Sequence, residues 1–169
     1  MTAPAVTPSA EKRAAKRAER GKAVVLSNGD VELVAVPQSQ VWMVSSAIWQ
    51  MLQPALDRQP RMITLEQLKK QCAQGKGQLW FILPAERTEA LAVAVTEILN
   101  YPQKKMFSVA WLAGVQMRRW IDFFEVFLDL AKSQGCDGIE VHGRRGWERI
   151  LRRWGLSFDR LVVSHHFKR

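Results

Sequence analysis

From Val24 onward the spacing of apolar residues switches between a period of two and a period near 3.6, and each switch marks an element. "AVVLSNGDVELVAV" holds two β-rich runs around Asn28-Gly29, a dipeptide suited to closing a two-residue hairpin. "SQVWMVSSAIWQML" (39–52) predicts a helix from the spacing of Trp42, Ser45/Ser46, Trp49 and Leu52, and "PALDRQP" then breaks the chain. "TLEQLKKQCAQG" predicts a shorter helix, with Thr64 as cap, Gln67 completing a capping box and Gly75 as stop. "QLWFIL" (78–83) predicts a strand. The nearly continuous apolar run "ALAVAVTEIL" (90–99) predicts a strand buried on both faces. "NYPQKK" turns the chain, and "MFSVAWLA" (106–113) returns as another strand.

Residues 117–134, "MRRWIDFFEVFLDLAKSQ", predict one long helix whose stripe is Trp120, Phe124, Phe127 and Ala131, widened by Ile121 and Leu128. Gly135 fits its C′ position. A strand (138–142), a short helix (146–154) and a last strand (158–167) complete the pattern. In the first of these strands Ile139 and Val141 point one way, Glu140 and His142 the other. In the short helix Trp147, Ile150, Leu151 and Trp154 form one apolar face, and Gly155 stops it. Antiparallel strands followed by a strand–helix–strand crossover predict a mixed α/β domain with a largely antiparallel sheet flanked by helices.

Residues 1–22 stand apart as a basic N-terminal arm, with the folded domain expected over 23–169. "TAPAVTPSA" reads as extended or disordered, and "EKRAAKRAERG" as a helix without any large apolar side chain to bury. The arm's Lys12, Arg13, Lys16, Arg17, Arg20 and Lys22 oppose two glutamates, a net +4. Residues 144–169 carry +6, whereas the 121 residues between sum to −1. A near-neutral body with two basic ends favours acidic partners such as nucleic acid, an acidic protein surface or an anionic ligand. No run of about 18 apolar residues occurs, so no membrane span is expected. Cys72 and Cys136 lack CxxC or Cys/His ligand spacing, which points to a reducing compartment and away from zinc or a disulfide framework.

The stretch "HGRRGWERILRRWG" (142–155) is the densest in cations. Its aromatic and aliphatic residues belong to the buried face, leaving Arg144, Arg145, Arg149, Arg152 and Arg153 on the outside as candidates for a partner or an anion. Arginine on a helix back is often only solvated, and Arg152 and Arg153 also complement the helix dipole. Arginine is nonetheless the cation that makes planar, bidentate contacts to carboxylate and phosphate.

Taken with the order of elements, "AVAVTEILNYPQKKMFSVAWLAG" (92–114), the long helix with "GCDGIEV", and "HGRRGWERILRRWGLSF" (142–158) resemble the Gcn5-related N-acetyltransferase (GNAT) fold. More narrowly, the pattern T-E-I-x-x-Y-P, G-C-D, G-R-x-G-W and W-G-L is similar to GNAT-like proteins of tailed-phage morphogenesis clusters, a group of internal virion or ejection-associated proteins. The resemblance covers residues from about 30 to 167 and leaves the arm outside. It implies a bacteriophage context: a protein of the virion, in the host cytoplasm during assembly, with portal, tail or capsid proteins as partners and DNA or further copies of itself as possible ones.

The same resemblance poses the question of catalysis. Acetyltransferases of this fold hold the cofactor pyrophosphate with a Q/R-x-x-G-x-G/A loop before the long helix, where glycine lets backbone N–H groups approach phosphate. Here "LAGVQMRRWIDF" keeps Gly114 but places Met117, Arg118, Arg119 and Trp120 where small residues are required. Gly114, Gln116, Arg118 and Arg119 are the only candidates for holding acetyl-CoA. Glu97, in a strand otherwise apolar, is either a carboxylate base with a raised pKa or, the reading the strand favours, a sheet-end residue paired with an arginine. Tyr101 reads as a packed turn residue, Glu140 with His142 do not make a catalytic set, and His165 and His166 alternate across a strand. No metal-ligand set, P-loop or nucleophile elbow is present. The expectation is a non-catalytic virion-associated protein without a cofactor. Its alternatives are an acyl-CoA-dependent N-acyltransferase and a DNA-binding accessory protein.

Overall fold

The structure is a computed structural model that describes residues 24–28 (backbone), 31–59, 62–86, 89–143 and 146–157. The basic arm, Arg144, Arg145, the expected last strand and its two histidines lie outside the described residues. Strands β1 (Val24–Asn28) and β2 (Val31–Ala35) pair antiparallel with Asn28 opposite Val31, so the hairpin expected here is present, with Asn28 in the strand and not in the connection. β3 (Gln78–Pro84), β4 (Ala92–Tyr101), β5 (Lys104–Gly114) and β6 (Gly138–Val141) extend the sheet in chain order. Every described neighbour is antiparallel except β5 and β6, which are parallel and therefore need a crossover between them.

That crossover is helical but not continuous. α4 (Met117–Trp120) passes through a 3-10 turn (Ile121–Phe123) into α5 (Phe124–Ser133), where a single helix over 117–134 is expected. The break falls at Trp120, whose φ of −124° leaves the helical region. There the indole Nε1 donates to the Val115 carbonyl at 2.7 Å and the ring lies 6.4 Å from that of Trp147. Anchoring the indole in the core thus takes precedence over helix continuity. Gly135, at φ 66°, closes α5 as predicted.

The segment before β3 also differs from its pattern. Instead of a helix over 39–52, a 3-10 turn (Gln38–Met43) is followed by α1 (Ser46–Gln50) and α2 (Gln53–Leu56). Val44 and Ser45 are extended, at ψ 130° and 149°, which resets the helical phase. Trp42 consequently leaves the apolar stripe and is exposed, while Trp49 and Leu52 are buried. Pro54 does not break the chain; it sits in the first turn of α2, where its missing N–H costs nothing. α3 (Leu65–Ala73) forms as its capping box dictates: Gln67 N–H donates to Thr64 Oγ1 at 3.2 Å and Thr64 N–H to Gln67 Oε1 at 2.9 Å.

Each face of the sheet has its own core. α1, α2, α3 and the first 3-10 turn cover one face, burying Trp49, Leu52, Leu68 and Cys72 against Leu79, Val93 and Val95. α4, α5 and α6 (Gly146–Leu151) cover the other, burying Phe123, Phe127 and Leu151 among Leu33, Ile82, Phe107 and Val109. In the second core Phe127 meets Trp80 edge-to-face at 5.9 Å, and the Trp80 indole donates to Thr96 Oγ1 at 2.8 Å. β4 lies between the two cores, so its first five residues are buried on both faces, as its unbroken apolar run predicts.

Candidate functional site

Alternation along β4 assigns Val93 and Val95 to the α1–α3 face, and the same alternation places Glu97 next in that line. The residue paired with Glu97 across β5 is Ser108, and the residue paired with Ser108 across β6 is Glu140. A row of carboxylate, hydroxyl and carboxylate therefore runs across three adjacent strands on one face. His142 follows Glu140 on that face, and Tyr101 lies two alternations beyond Glu97. Both converge on Glu140. Tyr101 Oη donates to Glu140 Oε2 at 3.2 Å and Oε1 at 3.3 Å, and His142 Nε2 lies 2.9 Å from Oε1. A carboxylate oxygen only accepts, so the proton of this His142 contact is on Nε2.

Glu97 and Ser108 differ from Glu140 in what they touch. No hydrogen bond or ion pair reaches Glu97 from the described residues, so the arginine partner favoured on sequence grounds is not found among them. Ser108 is wholly buried, and its Oγ has no partner among the described residues. Burial raises the Glu97 carboxyl above the usual carboxylate range; His142 draws it back, and the Glu140 charge raises it further. The same surroundings suppress the neighbouring thiol: burial first, then the Glu97 charge, push Cys72 up to about 12. Cys72 is a packed side chain and not a nucleophile.

A bulge lies beside this row. Val95 pairs with Trp111 and Thr96 with Val109, so Ala110 is an extra residue in β5. The bulge resets the alternation, so that Trp111 and Ala113 share the face of Ser108. Pairing with β6 ends at the same point: the His142 N–H donates to the Val109 carbonyl at 3.1 Å, and β5 continues to Gly114 without β6 beside it among the described residues. α2 packs over β5 on this side. The row thus sits where two parallel strands part, one residue before a bulge.

The loop after β5 holds the residues considered for acetyl-CoA. A Cβ at Gly114 would come within 2.5 Å of the Leu91 carbonyl oxygen and the Ala92 Cβ, so close strand packing, and not a phosphate, accounts for this glycine. Gln116 adopts the left-handed conformation, φ 52° and ψ 45°, the only described non-glycine residue with positive φ. Followed by helical Met117, it aligns the N–H groups of Gln116, Met117 and Arg118, and no backbone carbonyl of the described residues accepts from them. Successive N–H groups in such a turn form an anion-binding concavity. Of the bulky residues in this loop, Trp120 turns into the core, while Arg118 is exposed. Arg119 is held by Gln116 Oε1 at 3.3 Å and by Glu86 at 3.7 Å.

The arginine-rich helix is more occupied than its sequence suggests. Arg152 pairs with Glu148 at 3.3 Å. Arg153 pairs with Asp122 and lies 3.8 Å from the centroid of the Trp154 ring, whose Nε1 donates to Glu125 at 3.2 Å. These contacts fasten the end of this segment to the start of α5. Arg149 is exposed. Sequence reasoning missed Ser108 and the Tyr101–Glu140 link; a lone serine within an apolar strand run was the available signal for the first. Among the described residues no group of three metal-ligating side chains converges, and no helix is long and apolar enough to cross a membrane.

No protein-family model matches the chain, and no curated protein matches it in sequence. Solved structures do match in shape. An aminoglycoside acetyltransferase from an uncultured soil metagenomic sample, in complex with sisomicin, superposes with a TM-score of 0.58 at 13% identity, covering 82% of this chain and 96% of that one. Glucosamine-6-phosphate N-acetyltransferase from Arabidopsis thaliana gives 0.57 at 13% identity, covering 82% and 99%. A predicted acetyltransferase from Clostridium acetobutylicum, with acetyl-CoA, gives 0.58 at 8% identity, covering 80% and 96%. At such identities the likeness speaks to architecture alone. The mixed α/β sheet with helices on both faces is the fold of the GNAT acetyltransferases.

Proposed function

We propose that the protein transfers an acyl group from acyl-CoA to an amine, with Glu97 as the base. The observation that carries this reading is the Glu97–Ser108–Glu140 row, placed where β5 and β6 part and β5 bulges. Acyl-CoA supplies a thioester-activated acyl group. The left-handed turn at Gln116 fits its pyrophosphate: the N–H groups of Gln116, Met117 and Arg118 would hold the anion and exposed Arg118 would add charge. A strained non-glycine residue at that position is itself a reason to look for function there. Glu97 takes one proton from the bound ammonium, which frees the nitrogen lone pair to bond to the thioester carbon. As the C–S bond breaks, the CoA sulfur leaves and carries off the second proton the nitrogen loses. A carboxyl raised by burial is better matched to that task near neutral pH than an ordinary one. Glu140, tied to Tyr101 and His142, fixes the electrostatic setting of Glu97. The test is thermal protection by acetyl-CoA together with thiol release in the presence of a primary amine. No protection at millimolar acetyl-CoA would overturn the proposal.

A second reading is favoured by the loop composition: a non-catalytic protein of this fold that binds virion proteins or DNA through basic surfaces. It rests on the absence of the pyrophosphate glycines and on the resemblance of "TEILNYP", "GCD" and "GRRGW" to the phage group. Exposed Arg149 and the arginines outside the described residues would carry the contacts. Mass spectrometry of purified particles, showing a fixed copy number or none, decides it. Salt-dependent DNA affinity, abolished by deleting the arm, would point instead to a nucleic-acid role.

A further inference from the structure

We propose that the acceptor bound at the Glu97–Ser108–Glu140 row is a primary alkylamine, recognised as its ammonium ion, and that amines bearing a nearby anionic group are refused. This rests on the acyl-transfer reading for what happens next, but the recognition itself follows from the row. Glu97 is an acceptor with no donor from the described residues, and Ser108 is a fully buried hydroxyl without a partner among them. A buried polar group left unpaired is costly, and a hydroxyl and a carboxylate that the described residues leave side by side without partners are groups a ligand would satisfy. An ammonium group brings three donors and a positive charge to this place. It binds Glu97 from the solvent side, with the negative charge of Glu140 one strand beyond Ser108. Ser108 Oγ, closed off beneath that face, donates to the Glu97 carboxylate when the carboxylate is drawn onto the cation. Val95 and Trp111 are apolar residues on the same face, and neither offers a charge to a substituent. A carboxylate or phosphate close to the amine would meet Glu97 and Glu140 with like charge. The chain as a whole carries +9, so this cation preference is a local property that runs against the overall field.

The experiment titrates the full chain with n-butylammonium chloride, followed by amide NMR, with 4-aminobutyrate as the comparison of equal reach. The expected result is saturable shifts at residues 96–98, 107–109 and 140, with 4-aminobutyrate binding at least about 10-fold more weakly. Glu97→Gln, close in shape, should weaken n-butylammonium about 10-fold or more. Ser108→Ala should raise Tm in the absence of amine and still weaken binding by about 3-fold to 10-fold, a pair of effects a merely structural serine does not produce. Equal binding of the two amines, no saturable shifts at 10 mM or roughly below, or unchanged affinity in Glu97→Gln would each overturn the proposal. Acetyl-CoA protection is measured on the same samples. Protection without amine binding defeats the recognition proposal alone, and amine binding without protection defeats the acyl-transfer reading while leaving the ammonium site in place.

Discussion

Two charged regions of this molecule resolve in opposite ways. The short helix with its arginines is conspicuous in the sequence, yet Arg152 and Arg153 are paired with Glu148 and Asp122, and Arg153 also covers Trp154. The strand row is inconspicuous, a single Glu in an apolar run and a single Ser in another, yet neither side chain has a hydrogen-bond partner among the described residues. On a helix surface, side chains three and four residues apart meet, so opposite charges satisfy one another locally. Across a sheet, the partner of a polar residue lies on another strand and depends on register. The number of charges in a segment is therefore a poor guide to which charges remain available for chemistry.

The largest effect that could break this contrast is catalytic. Glu97→Gln should lower acyl transfer by about 10²-fold to 10⁴-fold, measured as thiol release at saturating acetyl-CoA, with acetyl-CoA protection unchanged. Arg149→Ala should leave the rate as it is. If the arginine variant loses activity and the glutamine variant does not, the two regions have been assigned the wrong way round. The wild-type rate should also rise with pH through the raised Glu97 value, because only the ionised carboxylate accepts a proton.

Stability should show the same carboxyl with the opposite sign. Below the ordinary value of 4.5, Glu97 is protonated in folded and unfolded chains alike. As pH rises past it, the unfolded chain releases the proton first, so stability falls until the raised folded value is passed. Glu97→Gln has no such step. The variant should match wild type near pH 4, by the ordinary carboxylate pKa, and exceed it at neutral pH in urea melts. A constant offset at all pH values would mean that burial of the ionised form is not the cause.

Gly114→Ala follows in size. The added Cβ meets backbone and Ala92 Cβ, neither of which can swing away, so a loss of about 1–3 kcal/mol is expected from overpacking. The Val115 N–H to Leu91 carbonyl bond of 2.8 Å lies one residue on, and hydrogen exchange at Val115 should speed up with the loss. Were the glycine there for phosphate, the variant would keep its stability and lose only acetyl-CoA protection.

Much of the framework was legible because it rests on local rules. The Thr64–Gln67 box, Gly75 and Gly135 each act within a few residues, and the two-faced burial of β4 is written in consecutive apolar positions. Helix continuity was not legible. Trp120 breaks the crossover to reach Val115 and Trp147, and Val44 with Ser45 divides the first helical segment although its apolar spacing would permit one helix. The site was half legible. Glu97 stood out as a carboxylate among aliphatics, and Glu140 with His142 as one strand face. Nothing in the order of residues tells that Ser108 lies between them, because that follows from the β4–β5 register and the parallel pairing of β6. A one-residue change of register would turn the serine to the opposite core.

The smallest predicted effects test the arginine helix itself. Arg153→Ala removes an ion pair with Asp122 and a cation–π contact at 3.8 Å, both at groups that remain partly open to water. Exposed pairs of this kind contribute about 0.5–1 kcal/mol, and 0.5 M salt should erase roughly the ionic part of that difference. Asp122→Ala should cost a similar amount, and the double variant less than the sum, since each single change already breaks the pair. Arg149→Ala should stay within about 0.5 kcal/mol of wild type. Additive losses at Arg153 and Asp122 would mean that the pair does not form in solution. Arg153 would then be as free as Arg149, and the arginine surface would regain the capacity to bind a partner that internal pairing now limits.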